Sequence, residues 1–456
     1  MSGYIPASAA ARQDMLRELG LESEGDLFAG IPEGLKLNRP LNLPPGKSEL
    51  ETITEMKRLA GRNTVFKSVF RGAGAYRHFI PALVKRVTAK EEFVTAYTPY
   101  QPEISQGVLQ SIFEFQTMIC ELTGMDAANA SVYDGAAAAA EAAAMCRDRN
   151  RQTVVISAAS HPHTIETVKT YCATAGARLL IAPHKNGVTD PEALEGIIDN
   201  ETACVYIQQP NFFGQIERAR EIGQAAHERG AMFIMGCNPI AMAILKTPAD
   251  CGADIAVGEG QPLGMPLAFG GPYLGFMSCK KDLVRRLPGR IVGETHDKGG
   301  RRAFVLTLQA REQHIRREKA ASNICTNQAL CSMTAAVYMA VMGPAGMRDA
   351  AEQCMAKAHY LQRRLAGING FEPVFTGAFF HEFVTRCPIP TDELNKCLEE
   401  HGILGGLPLN GDLTARLQEN QPPNGDLEGS VLWCATELNT KAKIDALIDI
   451  IRRRAL

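Results

Sequence analysis

The chain has 456 residues, 45% of them hydrophobic and 21% charged, with 48 Lys and Arg against 50 Asp and Glu for a formal net charge of −2. This is the composition of a globular protein with room for two or three packing units, and its charge balance offers no basic surface to nucleic acid or to an anionic membrane. The 13 cysteines are scattered singly without a CxxC, which excludes a zinc ribbon or thioredoxin-type site and fits reduced thiols packed as small hydrophobes. No signal-type apolar stretch opens the chain and no run of membrane-spanning length is apparent, so a cytoplasmic protein is expected.

Residues 1–62 read as a mixed arm in which short helical patterns such as SAAARQDMLRELG alternate with IPEGL and LNLPPGKSE. Its Gly46-Lys47-Ser48 lacks the upstream glycine of a P-loop and is expected to be accidental. From Ile104 through Val108, Ile112, Phe115, Ile119 and Leu122 the apolar spacing predicts a helix that stops at Gly124. Strand-like and helix-like segments then alternate. TVVIS (153–157), ARLLIAP (177–183), CVYIQQP (204–210), AMFIMG (231–236) and DIAVGE (254–259) are separated by helical patterns at 163–175, PEALEGIID and ERAREIGQAAHERG. The strands are continuous apolar runs, as a sheet covered on both faces requires, and the alternation implies right-handed crossovers in a mostly parallel sheet. A helical stretch at 322–366 leads to a smaller α+β unit with strands FEPVF and HEFVTRC and helices near 391–401 and 440–453.

Ligands of an open parallel sheet bind at the carboxyl ends of its strands, so the loops there are the places to search. No GxGxxG follows a strand. The loop GEGQPLGMPLAFGGP, after the strand ending at Glu259, has the form of a landing place for a catalytic lysine but contains none. TAYTPYQPEISQG (95–107) is either a rigid surface turn or a functional loop. In SVYDGAAAAAEAAAMCRDR, Asp134 is a plausible N-cap and Gly135 opens a helix whose free N–H groups suit an anion. The basic stretch 300–330 reads as a solvated face interrupted by Glu312 and Glu318, and His161-Pro162-His163 is a poor metal site, so no metal is expected.

Together FVTAYTPYQPEISQG, SVYDGA, QQPNFFGQIE, ADIAVGEGQPLGMPLAFGGPYLG, PGRIVGET and TLQAREQHIRREKAASNICTNQAL closely resemble subunit 1 of the two-subunit P-protein of the glycine cleavage system. The resemblance covers nearly the whole chain. It implies an α/β, type I pyridoxal-phosphate-dependent transferase (aspartate-aminotransferase-like) fold: an arm (1–62), a large domain with a mostly parallel sheet (63–330) and a small C-terminal α+β domain (331–456). It implies glycine decarboxylation with a subunit 2 that carries the Schiff-base lysine, in an α2β2 heterotetramer, the aminomethyl group passing to the lipoyl arm of H-protein.

Under that resemblance no residue of this chain bonds the cofactor covalently. Gln261 stands nearest the lysine's place, and its delocalised amide nitrogen cannot form an imine. Asn238 stands where an acid would hold the pyridine nitrogen protonated. Tyr97, Tyr100, Gln101 and Glu103 are expected to line a cavity shared with subunit 2, for glycine or the lipoyl arm. Tyr133 and Asp134 read as the relic of a phosphate-binding helix start, with Ala137 where relatives commonly carry threonine, and Ser322, Asn323 and Thr326 are candidates to reach across to the partner's cofactor. The alternatives are a self-sufficient pyridoxal-phosphate decarboxylase or aminotransferase using Lys246, and a non-catalytic regulatory pseudo-enzyme.

Overall fold

A computed structural model describes residues 7–418 and 427–455; residues 1–6 of the expected arm and 419–426 and 456 of the expected small domain lie outside them. The chain divides into two units, Met1–Thr64 and Val65–Leu456. In the first, helices Ala9–Glu18 and Glu49–Ala60 flank short 3₁₀ turns. The Gly-Lys-Ser run ends in an N-cap: the Ser48 side chain accepts from Glu51 N–H, and the Glu51 carboxylate accepts from Ser48 N–H at 2.8 Å. It is a capping box, not a phosphate loop.

The second unit is built on a seven-stranded sheet. Its strands in chain order are β1 (Ala127–Ala128), β2 (Thr153–Ser157), β3 (Arg178–Ala182), β4 (Thr202–Gln209), β5 (Met232–Cys237), β6 (Ile255–Glu259) and β7 (Gly275–Cys279). Their spatial order is β1-β7-β6-β5-β4-β2-β3, parallel from β6 through β3 and antiparallel where β7 joins β6 and β1. Strands β2 and β4 are buried almost throughout, which is why their sequences are apolar without alternation.

Each face is covered by helices. Helix α1 (Pro102–Thr123) lays Phe115 and Ile119 toward one face and ends at Gly124, whose φ of +71° a side chain would disfavour. Ser105, at φ −120°, kinks its first turn, so Ile104 is 81% exposed rather than part of the expected apolar stripe. Helix α2 (Gly135–Cys146) packs on the other face, its alanines 137–140 and 142–143 all buried. Helix α3 (Ala329–Ala366) bends at Gly343 before Pro344. It begins seven residues later than expected, because 322–328 run without helical structure. By length and apolar composition α3 could cross a membrane, contrary to the expectation that no run is long enough. Its Ala335, Ala336, Tyr338, Met339 and Met347 instead fill the core under the sheet.

A hairpin, Ile291–His296 with Arg302–Thr307, was missed from the sequence although Asp297-Lys298-Gly299-Gly300 is a strong turn signal. Glutamines of α1 complete its backbone bonding. Gln116 both donates to Val292 C=O (3.0 Å) and accepts from Val292 N–H (2.9 Å), and Gln106 does the same at Phe304. The C-terminal part holds a three-stranded antiparallel sheet, Glu382–Arg386 against Ser430–Cys434 against Leu407–Leu409, with helices Thr391–Glu400 and Lys441–Ala455. FEPVF is not a strand. Pro373 has no N–H to give a ladder, so the run keeps only an isolated bridge to Thr385.

Candidate functional site

Gln261 follows β6 at the carboxyl ends of the parallel strands and is only 1% exposed. Its side chain accepts from Tyr76 N–H (2.8 Å) and donates to Tyr76 C=O (2.9 Å) and to Met265 C=O (2.8 Å). One amide therefore pairs with both backbone groups of a residue 185 positions earlier, as a neighbouring strand would. Residues 72–76 are held from further points. His161, in the loop after β2, contacts Ala73 C=O through Nε2 at 3.0 Å, and its Nδ1 accepts from His163 N–H. Both ring nitrogens are thus engaged and the ring acts as a strut, with burial lowering its pKa to about 4. Glu382 accepts from Ala73 N–H (2.6 Å) and from the Tyr76 hydroxyl (2.7 Å), and burial raises its carboxyl to about 7. The segment thus runs across the strand ends between the loops of His161 and Gln261.

The helix start next to it is also occupied from within. Asp134 caps α2 by accepting from Ala137 N–H at 2.7 Å, and Glu259 accepts from Gly135 N–H at 3.0 Å. Glu259 further accepts from Gln261 N–H and Leu274 N–H. Burial raises its carboxyl to about 7; the three N–H donors oppose that and the charge of Asp134 adds to it. Ala137 is buried and offers no hydroxyl. Asn238 turns its side-chain oxygen to Ile240 N–H and Ala241 N–H, a local turn. The residues present do not fit pyridoxal phosphate. The place expected for the lysine holds a fully engaged amide, the helix start expected for a phosphate is already taken by Asp134 and Glu259, and residues 72–76 are tied to the loops on either side.

Other lysines do not help. Lys280 pairs with Asp254, which immediately precedes β6, at 2.6 Å. Exposed Lys246 acts electrostatically on Cys251, also ahead of β6. Both sit toward the strands' amino ends, away from Gln261.

The tyrosine–proline motif lies on the surface. Tyr97 is 84% exposed and Tyr100 47%, and Gln101 and Glu103 are exposed with no side-chain hydrogen bond among the described residues. Tyr133 is also exposed. What joins these segments is a residue that sequence reasoning missed. Arg290 is buried, and its guanidinium donates to the Tyr100 hydroxyl oxygen (3.3 Å), Cys325 C=O (2.7 Å) and the Asn327 side chain (3.2 Å). Its own C=O accepts from Ala130 N–H, and Asn327 reaches Ser131 Oγ. The segments 97–103, 130–134 and 322–327 are thereby one contiguous face. Asn323 and Thr326 are exposed on it, whereas Ser322 turns inward to Glu141, which Tyr171 also meets. The basic stretch is not a helix face: Arg301 and Arg302 pair with Asp297 and Glu294, and Arg311 donates to Leu287 C=O and Gly289 C=O.

The sequence matches the glycine cleavage system P-protein family over residues 2–410. The chain belongs to that family. A probable glycine dehydrogenase (decarboxylating) subunit 1 of Desulfitobacterium hafniense is 48% identical over 448 residues, 98% of each chain. One of Carboxydothermus hydrogenoformans is 49% identical over 451 residues, 98% of this chain and 99% of that protein. The crystal structure of glycine decarboxylase (P-protein) of the glycine cleavage system, in inhibitor-bound form, superposes with a TM-score of 0.91 at 41% identity and full coverage of both chains. A NifS-like protein, 15% identical with a TM-score of 0.63 over 85% of this chain and 98% of its own, shares the fold. This P-protein chain thus has the type I pyridoxal-phosphate-dependent fold.

Proposed function

We propose that this chain is subunit 1 of a two-subunit glycine decarboxylase, active only with a subunit 2 that carries pyridoxal phosphate on its own lysine. The pair, doubled to an α2β2 heterotetramer, removes carbon dioxide from glycine and hands the aminomethyl group to the lipoyl arm of H-protein. The observation that carries this reading is Gln261. A Schiff base needs a primary amine with a free lone pair, and this amide has no lone pair to give and both ends engaged in backbone bonds.

In the assembly, Tyr97, Tyr100, Gln101 and Glu103 meet the partner's site, where they orient glycine and exclude water once covered. Asn323 and Thr326 present small polar groups to the same cavity. The decisive measurement compares the chain alone, its subunit 2 alone and the reconstituted pair in glycine-dependent carbon dioxide exchange, with H-protein added for the full reaction. Exchange is expected only from the pair, with the borohydride-reducible lysine in subunit 2. Exchange by this chain alone, or a pyridoxyl-lysine at Lys246, overturns the proposal.

A further inference from the structure

Arg290 is 4% exposed, yet no carboxylate among the described residues lies within ion-pair distance of it. Its partners are two oxygens of the 325–327 segment and the hydroxyl of Tyr100, and its Nε has no partner. A guanidinium buried among neutral acceptors is expensive, and its planar fork is suited to holding several groups in a set geometry. The cation also lies 5.5 Å from the centroid of the Tyr100 ring. Because the Tyr100 oxygen accepts from Arg290, its own O–H proton is directed elsewhere. No described group of this chain takes that proton, and the ring is 47% exposed. Tyr100 is therefore held as an outward-facing hydrogen-bond donor.

We infer that Arg290 is a positioning residue that fixes Tyr100 as a donor to an oxyanion in the partner's site. The inference rests on the proposed assembly with subunit 2. The oxyanion is the carboxylate of the amino-acid substrate or the phosphate of the partner's cofactor, two sources with the same recognition chemistry.

The test is a double-mutant cycle in the reconstituted complex, with Tyr100→Phe, Arg290→Gln and the pair combined. Assembly is checked by size exclusion, and Arg290→Lys replaces Arg290→Gln in the cycle if the latter does not assemble. A donor aimed at a charged oxygen is worth roughly tenfold to a hundredfold in rate or binding. Each single change is expected to lose that much, and the double variant no more than about threefold beyond the worse single, because both remove one interaction. Arg290→Lys keeps the charge but not the fork and should fall with Arg290→Gln. A raised glycine KM with cofactor retained identifies the carboxylate; loss of cofactor on dialysis with KM unchanged identifies the phosphate. If Tyr100→Phe is silent, the placement of this face at the partner's site is wrong. If Tyr100→Phe is impaired while Arg290→Lys is wild-type, or if the losses multiply, only the role of Arg290 falls.

Discussion

Replacing Gln261 by lysine restores the amine that the fold's cofactor chemistry needs, and the structure indicates why it will not restore the chemistry. Lysine has no acceptor, so Tyr76 N–H loses the oxygen 2.8 Å away in a place that is 1% exposed. An orphaned buried donor costs about 1–3 kcal/mol. Desolvating an ammonium adds to that, partly offset by the Glu259 carboxylate that accepts from the backbone N–H of the same residue. We expect Gln261→Lys to be less stable by about 2–4 kcal/mol in urea unfolding, and Gln261→Glu, which keeps acceptors but loses both donations and sets a second buried carboxylate beside Glu259, to lose at least as much. Incubated with pyridoxal phosphate, Gln261→Lys should show no visible-absorbing, borohydride-reducible adduct at position 261, since residues 72–76 still cross the pocket and Glu259 still caps α2. A variant of wild-type stability that turns yellow and is labelled at Lys in position 261 would refute the idea that the site is filled from within.

Gly214→Ala, at φ +80°, would place its Cβ 2.0 Å from Glu382 C=O, so a loss of roughly 3–4 kcal/mol is expected against about 1 for Gly176→Ala, whose φ is +65° with nothing within 4 Å. Equal losses in urea titrations would show that the steric part is absent. Stability should also respond to pH in two opposing ways. Burial raises Glu217, Glu259 and Glu382 to about 7 from an ordinary 4.5, so the folded state keeps protons that the unfolded state releases, and stability falls as pH rises through 4.5 to 7. Burial lowers His161 and His184 to about 4 and His381 to about 3 from 6.5, so the unfolded state gains protons first and stability falls as pH drops below 6.5. The two sets cancel between pH 4.5 and 6.5, predicting a plateau there with losses on either side; a steady rise from pH 5 to 8 in urea midpoints would contradict it.

Much of the architecture was legible because burial leaves a periodic trace. The five parallel strands and helix α1 could be read from apolar runs and from Gly124 as a stop. The hairpin at 291–307 escaped because its edges are satisfied by side chains of a helix far away in sequence, and FEPVF misled because an apolar run resembles a strand even where proline forbids the ladder. The candidate site divides the same way. The missing lysine is a matter of residue identity and needs no coordinates. Glu259 and Arg290 carry no local pattern, since each acquires its meaning only from groups brought to it by other elements.

Chemistry intrinsic to one side chain was thus legible in the sequence itself: an amide at the place expected for an amine, an alanine at the place expected for a hydroxyl. Whether the vacated place stayed open could be decided only by folding, because filling it depends on residues 72–76, 259–261 and 382 meeting across the strand ends. Such encounters are selected by long-range packing and by the cost of leaving buried polar groups unpaired, and neither is written in any single stretch of chain.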